Sequence, residues 1–256
     1  MTIDATRPHI GRVYDYVLGG NYNYEADRIA AREIIARIPS YPRWARLNRS
    51  FLGYVGHRWA MEGRTRVLDL GSGLPTQGHL NTRLPDAKIL FVDNDPLAVV
   101  QGRQLLADTP DMGYLEADVR EAGAMLAQAE SFFGAERPVA VGCIGVGYFL
   151  TDDQLRSLMQ QLHAFCAPGC SMAISFPAAT DRSDPEETGR VLVEVARVAG
   201  IDFYHRTAEQ IAELAKPWRM IKAEPLEAWL GADVPSVGGP DPLQHVGMMG
   251  VFADRE

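Results

Sequence analysis

Between residues 66 and 176 short apolar runs alternate with segments of helix length, and no other feature of the chain restricts its fold as much. "RVLDL" (66–70), "KILFVD" (88–93), "GYLEAD" (113–118), "PVAVGCIGV" (138–146) and "SMAISF" (171–176) have strand length and little polar alternation. Strands apolar on both faces belong in a sheet covered on both sides, and helix-length crossovers between them make the pairing parallel. The segments between carry helix signals. "DPLAVVQGRQLLAD" has Pro96 just inside its start, "VREAGAMLAQAESFF" follows the third strand, Thr151 and Gln154 form a capping box before "DQLRSLMQQLHAFC", and Gly200 ends "DPEETGRVLVEVARVAG". Thr207 and Gln210 open one more helix, and "WRMIKAEPLEAWL" with "HVGMMGVFAD" read as closing strands joined by "GADVPSVGGPDP". The expected architecture is α/β: a mostly parallel, twisted, doubly wound sheet with an antiparallel C-terminal hairpin.

Ahead of the first strand, "EADRIAAREIIARI" (25–38) places Ile29, Ile34, Ile35 and Ile38 near one face of a helix. "RWARLNRSFLGYVGHRWAMEG" (43–63) continues as a second amphipathic helix after Pro42. Residues 1–62 are therefore expected as a helical extension or lid on a sheet domain spanning 63–256, and 256 residues suffice for one compact unit around a single core. Four of the nine tyrosines, at 14, 16, 22 and 24, bracket Gly19-Gly20 in "RVYDYVLGGNYNYEADR". A stretch so rich in rings has to cover something.

The 33 Asp and Glu outweigh the 25 Lys and Arg, for a formal net charge of -8. Affinity for a phosphate backbone needs a basic face, so a nucleic-acid partner is disfavoured. The opening residues lack the pattern of a secretory signal, and no run approaches the roughly 18 apolar residues a membrane span needs. A cytoplasmic protein with no membrane partner, monomeric or homodimeric, is expected. Cys143, Cys166 and Cys170 lack a second Cys or His pair at metal spacing, so they read as buried or incidental thiols and no metal is expected.

In an open α/β sheet the ligand sits beyond the carboxyl ends of the strands, beside the first strand. Here that place is "VLDLGSGLPTQG" (67–78), where Gly71 and Gly73 permit a tight turn and close approach of a ligand. A dinucleotide fingerprint needs a third glycine where this chain has Thr76, and Asp69 before the turn would repel a pyrophosphate. The same carboxylate suits a ligand bearing an ammonium. S-adenosylmethionine (SAM) has an α-ammonium, a sulfonium and no phosphate. Asp93 ends the second strand twenty residues after Gly73, the position from which a carboxylate accepts both ribose hydroxyls. After the third strand, Asp118 is placed to take the adenine amino group, and Val119 to offer backbone and apolar contact. Each of these is also an ordinary turn or N-cap residue; their recurrence at three successive strand ends argues for a site.

With these motifs the sequence resembles the bacterial S-adenosyl methyltransferase family once known only as a domain of unknown function. "RVYDYVLGG", "LNRSFL", "VLDLGSGLPTQG", "FVDNDP", "EADVR" and "PVAV...GYF" follow that family's order over nearly the whole chain. The resemblance implies a Rossmann-like class I methyltransferase fold, with SAM as cofactor and S-adenosylhomocysteine (SAH) as product. The residues then expected at the cofactor are Tyr14, Tyr16, Gly19, Gly20, Arg49, Asp69, Gly71, Ser72, Gly73, Leu74, Pro75, Thr76, Asp93, Asn94, Asp118, Val119, Gly145 and Val146. Three stretches depart from the family: 20–23, where it reads Gly-Lys-Asp-Asn; 79–82, where it reads Asn-Val-His-Glu; and 147–149, where it reads Leu-His-Phe. All three are expected to face the cavity and to bear on the acceptor.

Methyl transfer is an in-line displacement, and alignment of the reactants can be worth effective molarities on the order of 10⁵ M. The protein then needs a dry, shaped pocket and sometimes a base. Tyrosine rings over a sulfonium add cation–π attraction of roughly 0.5–2 kcal/mol. Tyr14 and Tyr16 are expected as lid residues with Gly19 and Gly20 as hinge; the alternative, rings that pack the N-terminal helices on the sheet, applies above all to Tyr22 and Tyr24. Asn48 and Arg49 join from the second helix, where Arg49 either pairs with the methionyl carboxylate or forms a surface salt bridge. Tyr14 and Tyr148 are the catalytic candidates, with His205 and Asp15 as further candidate bases. Asn21, Tyr22, Asn23, Tyr148, Phe149 and His205 are the candidates on the acceptor side. The leading expectation is methyl transfer to a small-molecule substrate in specialised metabolism. A cyclisation or elimination at the sulfonium and a SAM-binding regulator without turnover are the alternatives, and a nicotinamide dehydrogenase stands behind them.

Overall fold

The computed structural model of the protein describes residues 3–74, 79–179, 185–231 and 246–256. Strands β1 (Arg66–Leu70), β2 (Lys88–Asp93), β3 (Met112–Glu116), β4 (Ala140–Ile144), β5 (Ser171–Ala179), β6 (Arg219–Pro225) and β7 (Val246–Asp254) form a 7-stranded sheet in the order β3-β2-β1-β4-β5-β7-β6. The pairs β3-β2, β2-β1, β1-β4 and β4-β5 are parallel, whereas β7 runs antiparallel to both β5 and β6. The order turns back between β1 and β4, so a crevice opens beyond their carboxyl ends.

The helices, in chain order, are α1 (Ile10–Val17), α2 (Glu25–Arg37), α3 (Tyr41–Met61), α4 (Leu80–Arg83), α5 (Pro96–Leu105), α6 (Ala122–Phe133), α7 (Asp152–Phe165), α8 (Pro185–Ala199), α9 (Ala208–Leu214) and α10 (Leu226–Leu230). Capping boxes at Thr151 and Thr207 open α7 and α9, as the sequence predicts. No helix among the described residues is long and apolar enough to cross a membrane. Cys143, Cys166 and Cys170 are buried and unpaired.

Two apolar layers sandwich the sheet, and strand alternation decides which side chains meet which layer. Val67 of β1 joins the layer containing α2 and α3, whereas Leu68 and Leu70 join that of α6 and α7. Ile89 and Phe91 of β2 likewise face α3, and Leu90 and Val92 face the other way. By the same alternation Asp69 and Asp93 end up on the α3 side. Helix α3 is held there by Trp44, Leu47, Phe51, Val55 and Trp59, buried at three- and four-residue spacing. Burying one such side chain contributes roughly 1.5–3 kcal/mol. Phe51 meets Phe252 of β7 edge-on at 5.9 Å between ring centroids. It lies over Gly250, where a Cβ would stand 2.7 Å from the ring.

One helix is added to the sequence reading and two expectations are corrected. "RVYDYV" forms helix α1, capped by His9, whose ring accepts from the Gly11 N–H. Ile29 is not on the buried face of α2: it is 47% exposed, and the buried stripe is Asp27, Ala30, Ala31 and Ile34. Five positions separate Ile29 from Ile34, about 140° around a helix. "PLEAWL" does not continue the strand; β6 stops at Pro225, which has no N–H to give a ladder, and α10 follows until Gly231 in the left-handed conformation. The loop after Gly231 lies outside the described residues, as do Pro75 and Thr76.

Candidate functional site

The turn after β1 is locked to β2 from several directions. The Ser72 N–H donates to Val92 O (3.0 Å), and the Ser72 hydroxyl donates to Asp69 O (2.9 Å) while its Oγ accepts from the Val92 N–H (3.2 Å). Gly71 (φ +59) and Gly73 (φ +68) take left-handed conformations, and a Cβ on Gly71 would lie 2.0 Å from Val146. The Gly73 N–H donates to Asp93 Oδ2 (2.7 Å), and the Tyr114 hydroxyl donates to Gly73 O. Asp93 Oδ1 accepts from the Asp95 N–H (2.8 Å). Burial pushes the Asp93 carboxyl up, opposed by these two N–H groups and by His9.

His9 carries this network into α1. Its Nδ1 lies 3.4 Å from Asp95 Oδ2, and its backbone N–H donates to Asp27 Oδ1 (2.9 Å) on α2. His9 thus sits between α2 and the segment that follows β2. Asp118 caps the short turn after β3 and accepts from the Arg120 backbone N–H and from Arg120 Nε, each at 2.9 Å. Burial opposes ionisation of Asp118, but the bonds from Arg120 hold its carboxyl below the ordinary range. On the far wall, the N–H of Gly145 (φ +79) donates to Ser175 Oγ (3.0 Å). Buried Arg206 fixes the loop after β4 by donating to Gly147 O (3.2 Å), Leu150 O (2.5 Å) and Asp152 Oδ1 (2.8 Å).

These elements line one large cavity. From the sequence set it is lined by Tyr14, Arg49, Gly71, Ser72, Gly73, Leu74, Asp93, Asn94, Asp118, Val119, Gly145, Val146, Tyr148 and Phe149. Asp69 stays out of the wall, buried beneath the turn with Oδ2 unpartnered; burial pushes its carboxyl up to about 7. Tyr16, Gly19 and Gly20 are also placed away from the cavity, Tyr16 against the α2–α3 layer. Gly20 instead packs on Asp15, whose Oδ1 would be 2.0 Å from a Cβ there. Asn21 and Tyr22 are exposed. Asn23 is buried behind α1, with Nδ2 donating to Asp15 Oδ2 (2.8 Å) and to Gly20 O (2.9 Å).

Of the three departures from the family pattern, only 147–149 reaches the cavity. His79 is buried edge-on against Phe91, and burial pushes its imidazole down to about 3. His205 lines a smaller neighbouring cavity. Tyr14 and Tyr148 are held as neutral phenols: burial pushes Tyr14 up to about 12 and Tyr148 well above its ordinary value. The Tyr14 hydroxyl donates to Ala45 O (2.8 Å). Neither tyrosine is a base near neutral pH.

The wall also holds residues that sequence reasoning missed, among them His9, Tyr41, Leu52, Arg120, Ile201 and Phe203. His9 and Arg120 flank motifs already recognised, so proximity could have found them. Tyr41, Ile201 and Phe203 arrive through tertiary packing and carry no local signal. Around the cavity Asp15 Oδ1, Asn48 Oδ1 and Arg49 Nη1 are buried without partners. A guanidinium with a free nitrogen near two carboxyl groups can receive an amino-acid-like group, the carboxylate on Arg49 and the ammonium toward the acids. Asp93 and the glycine turn offer the rest of the cradle, so the donor set fits SAM.

A family model described as S-adenosyl methyltransferase matches residues 1–227. No protein of curated function matches in sequence. A DUF574 family protein from Streptomyces avermitilis MA-4680 is similar at 26% identity and TM-score 0.83, covering 100% of both chains. A protein from Thermobifida fusca YX, provisionally named a methyltransferase, is similar at 28% identity and TM-score 0.83, covering 99% of this chain and 97% of its own. In fold alone the chain is similar to the N-methyltransferase NodS of Bradyrhizobium japonicum WM9, solved with SAH, at 12% identity and TM-score 0.54 over 95% of this chain and 98% of NodS.

Proposed function

The chain belongs to the S-adenosyl methyltransferase family and is a SAM-dependent methyltransferase, and from that premise we propose that it methylates a small molecule bound beside the cofactor, in a cavity covered by α1 and α3. The observation that carries this reading is the convergence on one cavity wall of the Gly71–Gly73 turn, Asp93, Asp118 and Arg49 with its unpartnered Nη1.

In this reading Asp93 accepts the ribose hydroxyls and Asp118 the adenine amino group, with Leu74, Asn94 and Val119 around the adenosine. Arg49 takes the methionyl carboxylate, and buried Asp69 favours the nearby ammonium through the low-dielectric interior. Gly145 and Val146 let the chain pass close to the sulfur end. The Tyr14 ring, 5.9 Å from the Arg49 guanidinium carbon, screens that end from water. Bound there, SAM supplies an electrophilic methyl group on a sulfonium. The protein's own part is alignment and exclusion of water, which need no protein nucleophile. The net charge of -8 favours a small acceptor over a nucleic acid.

The test is incubation of the full chain with methyl-labelled SAM and a small-molecule extract, followed by mass spectrometry. A labelled small molecule with SAH is expected. Methylthioadenosine would favour cyclisation or elimination, and tight SAM binding without conversion would favour a regulator; either overturns methyl transfer to a small acceptor.

A further inference from the structure

Among the described residues, the charged and histidine side chains that line the main cavity belong to its adenosine and methionyl ends. Asp118 and Arg120 pair after β3, and His9 lies beside Asp95 and acts on Asp93. The charge of Arg49 acts on both Asp15 and Asp69, which groups these three around the amino-acid part of the cofactor. The wall around Gly145 is neutral: Tyr14, Tyr41, Asn48, Tyr148, Phe149 and Phe203, with aliphatic side chains between them. Resting on the reading that SAM fills this cavity with its sulfur toward Gly145, we infer that the methyl acceptor is an aromatic amine, uncharged near neutral pH, whose N–H is received by Asn48 Oδ1.

The polar atoms at this end set that chemistry. A Cβ on Gly145 would stand 3.5 Å from the Tyr148 hydroxyl and 3.7 Å from Asn48 Nδ2, so both groups lie at the turn beside the sulfur. Asn48 is 4% exposed and its Oδ1 is buried without a partner, whereas buried polar groups of this kind are normally satisfied. An amide oxygen accepts a hydrogen bond but is too weakly basic to remove a proton. Burial pushes the phenols of Tyr14, Tyr41 and Tyr148 up, so they stay protonated near neutral pH. A hydroxyl acceptor must lose its proton as its oxygen takes the methyl group, and this wall has no group to receive it. A carboxylate or an ammonium would be buried there without a counterion, which is strongly unfavourable. An uncharged amine needs neither base nor counterion, because it brings its own lone pair and keeps its protons while the new bond forms.

The wall is also held in place. The Phe203 ring lies parallel to that of Tyr148, 6.1 Å between centroids, and meets Phe149 edge-on at 5.0 Å. The Tyr204 N–H donates to Tyr148 O (2.8 Å), and Arg206 of the same segment holds Gly147 O and Leu150 O. Such a wall suits a flat aromatic body, and its rings attract the positive charge that appears on nitrogen. The step balances: the nitrogen lone pair forms the new bond to the methyl carbon, and the carbon–sulfur bond breaks with its electron pair left on sulfur. The positive charge passes from sulfonium to nitrogen. One N–H stays on Asn48 Oδ1 throughout, and the methylated product releases a proton to water on leaving.

The test incubates the full chain with SAM carrying an isotope-labelled methyl carbon and a small-molecule extract whose nitrogen is also isotope-labelled, and reads the product by NMR. One-bond coupling of the new methyl carbon to a nitrogen borne on an aromatic ring is expected. A methyl group on aliphatic nitrogen, oxygen, carbon or sulfur overturns the proposal. With the parent amine of that product and saturating SAM, kcat should stay level between about pH 6 and about pH 9; a titration limb within that range would reveal a protein base and also overturn it. Asn48→Leu, which keeps the bulk and removes the oxygen, should slow formation of the labelled product about tenfold or more while SAH affinity and thermal unfolding stay near wild type. An unchanged rate in that variant overturns the role of Asn48. The coupling and the pH profile are read on the wild type, so they decide even where the variant fails to fold. Absence of any labelled product would overturn the methyl-transfer reading instead.

Discussion

Asp93 illustrates how one carboxylate can serve the turn and the ligand at once. Both oxygens already accept backbone N–H groups, from Gly73 and Asp95, and lone pairs remain for hydroxyl donors. Asp93→Ala is expected to weaken SAH binding by on the order of 1–3 kcal/mol, the cost of losing a charged hydrogen-bond partner, and also to lower the melting temperature of the ligand-free protein because two N–H groups lose their acceptor. Calorimetry and thermal unfolding read the two effects separately. Asp69 makes a different prediction. Its carboxyl is raised from 3.8 to about 7 by burial. The resulting penalty is absent below 3.8, grows as pH rises through that window, and is complete above about 7. Asp69→Asn should therefore stabilise the ligand-free protein at pH 8 by on the order of 1–3 kcal/mol, with little change at acid pH. An ammonium near Asp69 favours its ionised form, so SAM affinity should rise with pH through about 7 in the wild type and lose that dependence in the variant; equal slopes in calorimetric titrations would exclude the role.

At the scale of elements, the sheet was the most legible part. "RVLDL" and "KILFVD" match β1 and β2 in both limits, because apolar strands bounded by glycine turns and capped helices signal themselves locally. The N-terminal elements were less so. In "RVYDYVLGGNYNYEADR" Tyr14 and Asp15 of α1 line the cavity, while Gly20, Tyr22 and Asn23 of the following loop pack on and bond to the Asp15 carboxylate. Sequence proximity cannot separate helix from loop here when no helix is recognised. Tyr41, Phe203 and the second cavity depend on how α2, α3 and α8 pack on the sheet, which no local pattern encodes. The Asp15 loop yields a test at this scale. Gly20→Ala places a Cβ against the Asp15 carboxylate and should destabilise the protein by about 1–3 kcal/mol. Since α1 carries Tyr14, SAH affinity should fall as well; normal thermal stability would show that this packing is not needed.

For the whole molecule, the sheet supplies a floor and the N-terminal helices the roof, with His9 bonded to Asp27 of α2 and lying beside Asp95 after β2. The carboxylates at the strand ends and Arg49 on α3 meet only because strand alternation turns Asp69 and Asp93 toward α3. A cofactor bound between floor and roof should tie the two together and slow hydrogen exchange over α1 and the first half of α3. The most direct test is a crystal structure of the full chain with SAH. The ribose hydroxyls are expected on Asp93, the amino-acid carboxylate on Arg49, and the sulfur directed at the wall formed by Tyr14 and Tyr148. SAH bound outside this cavity, or bound inside it with Asp93 and Arg49 unengaged, would contradict the assignment.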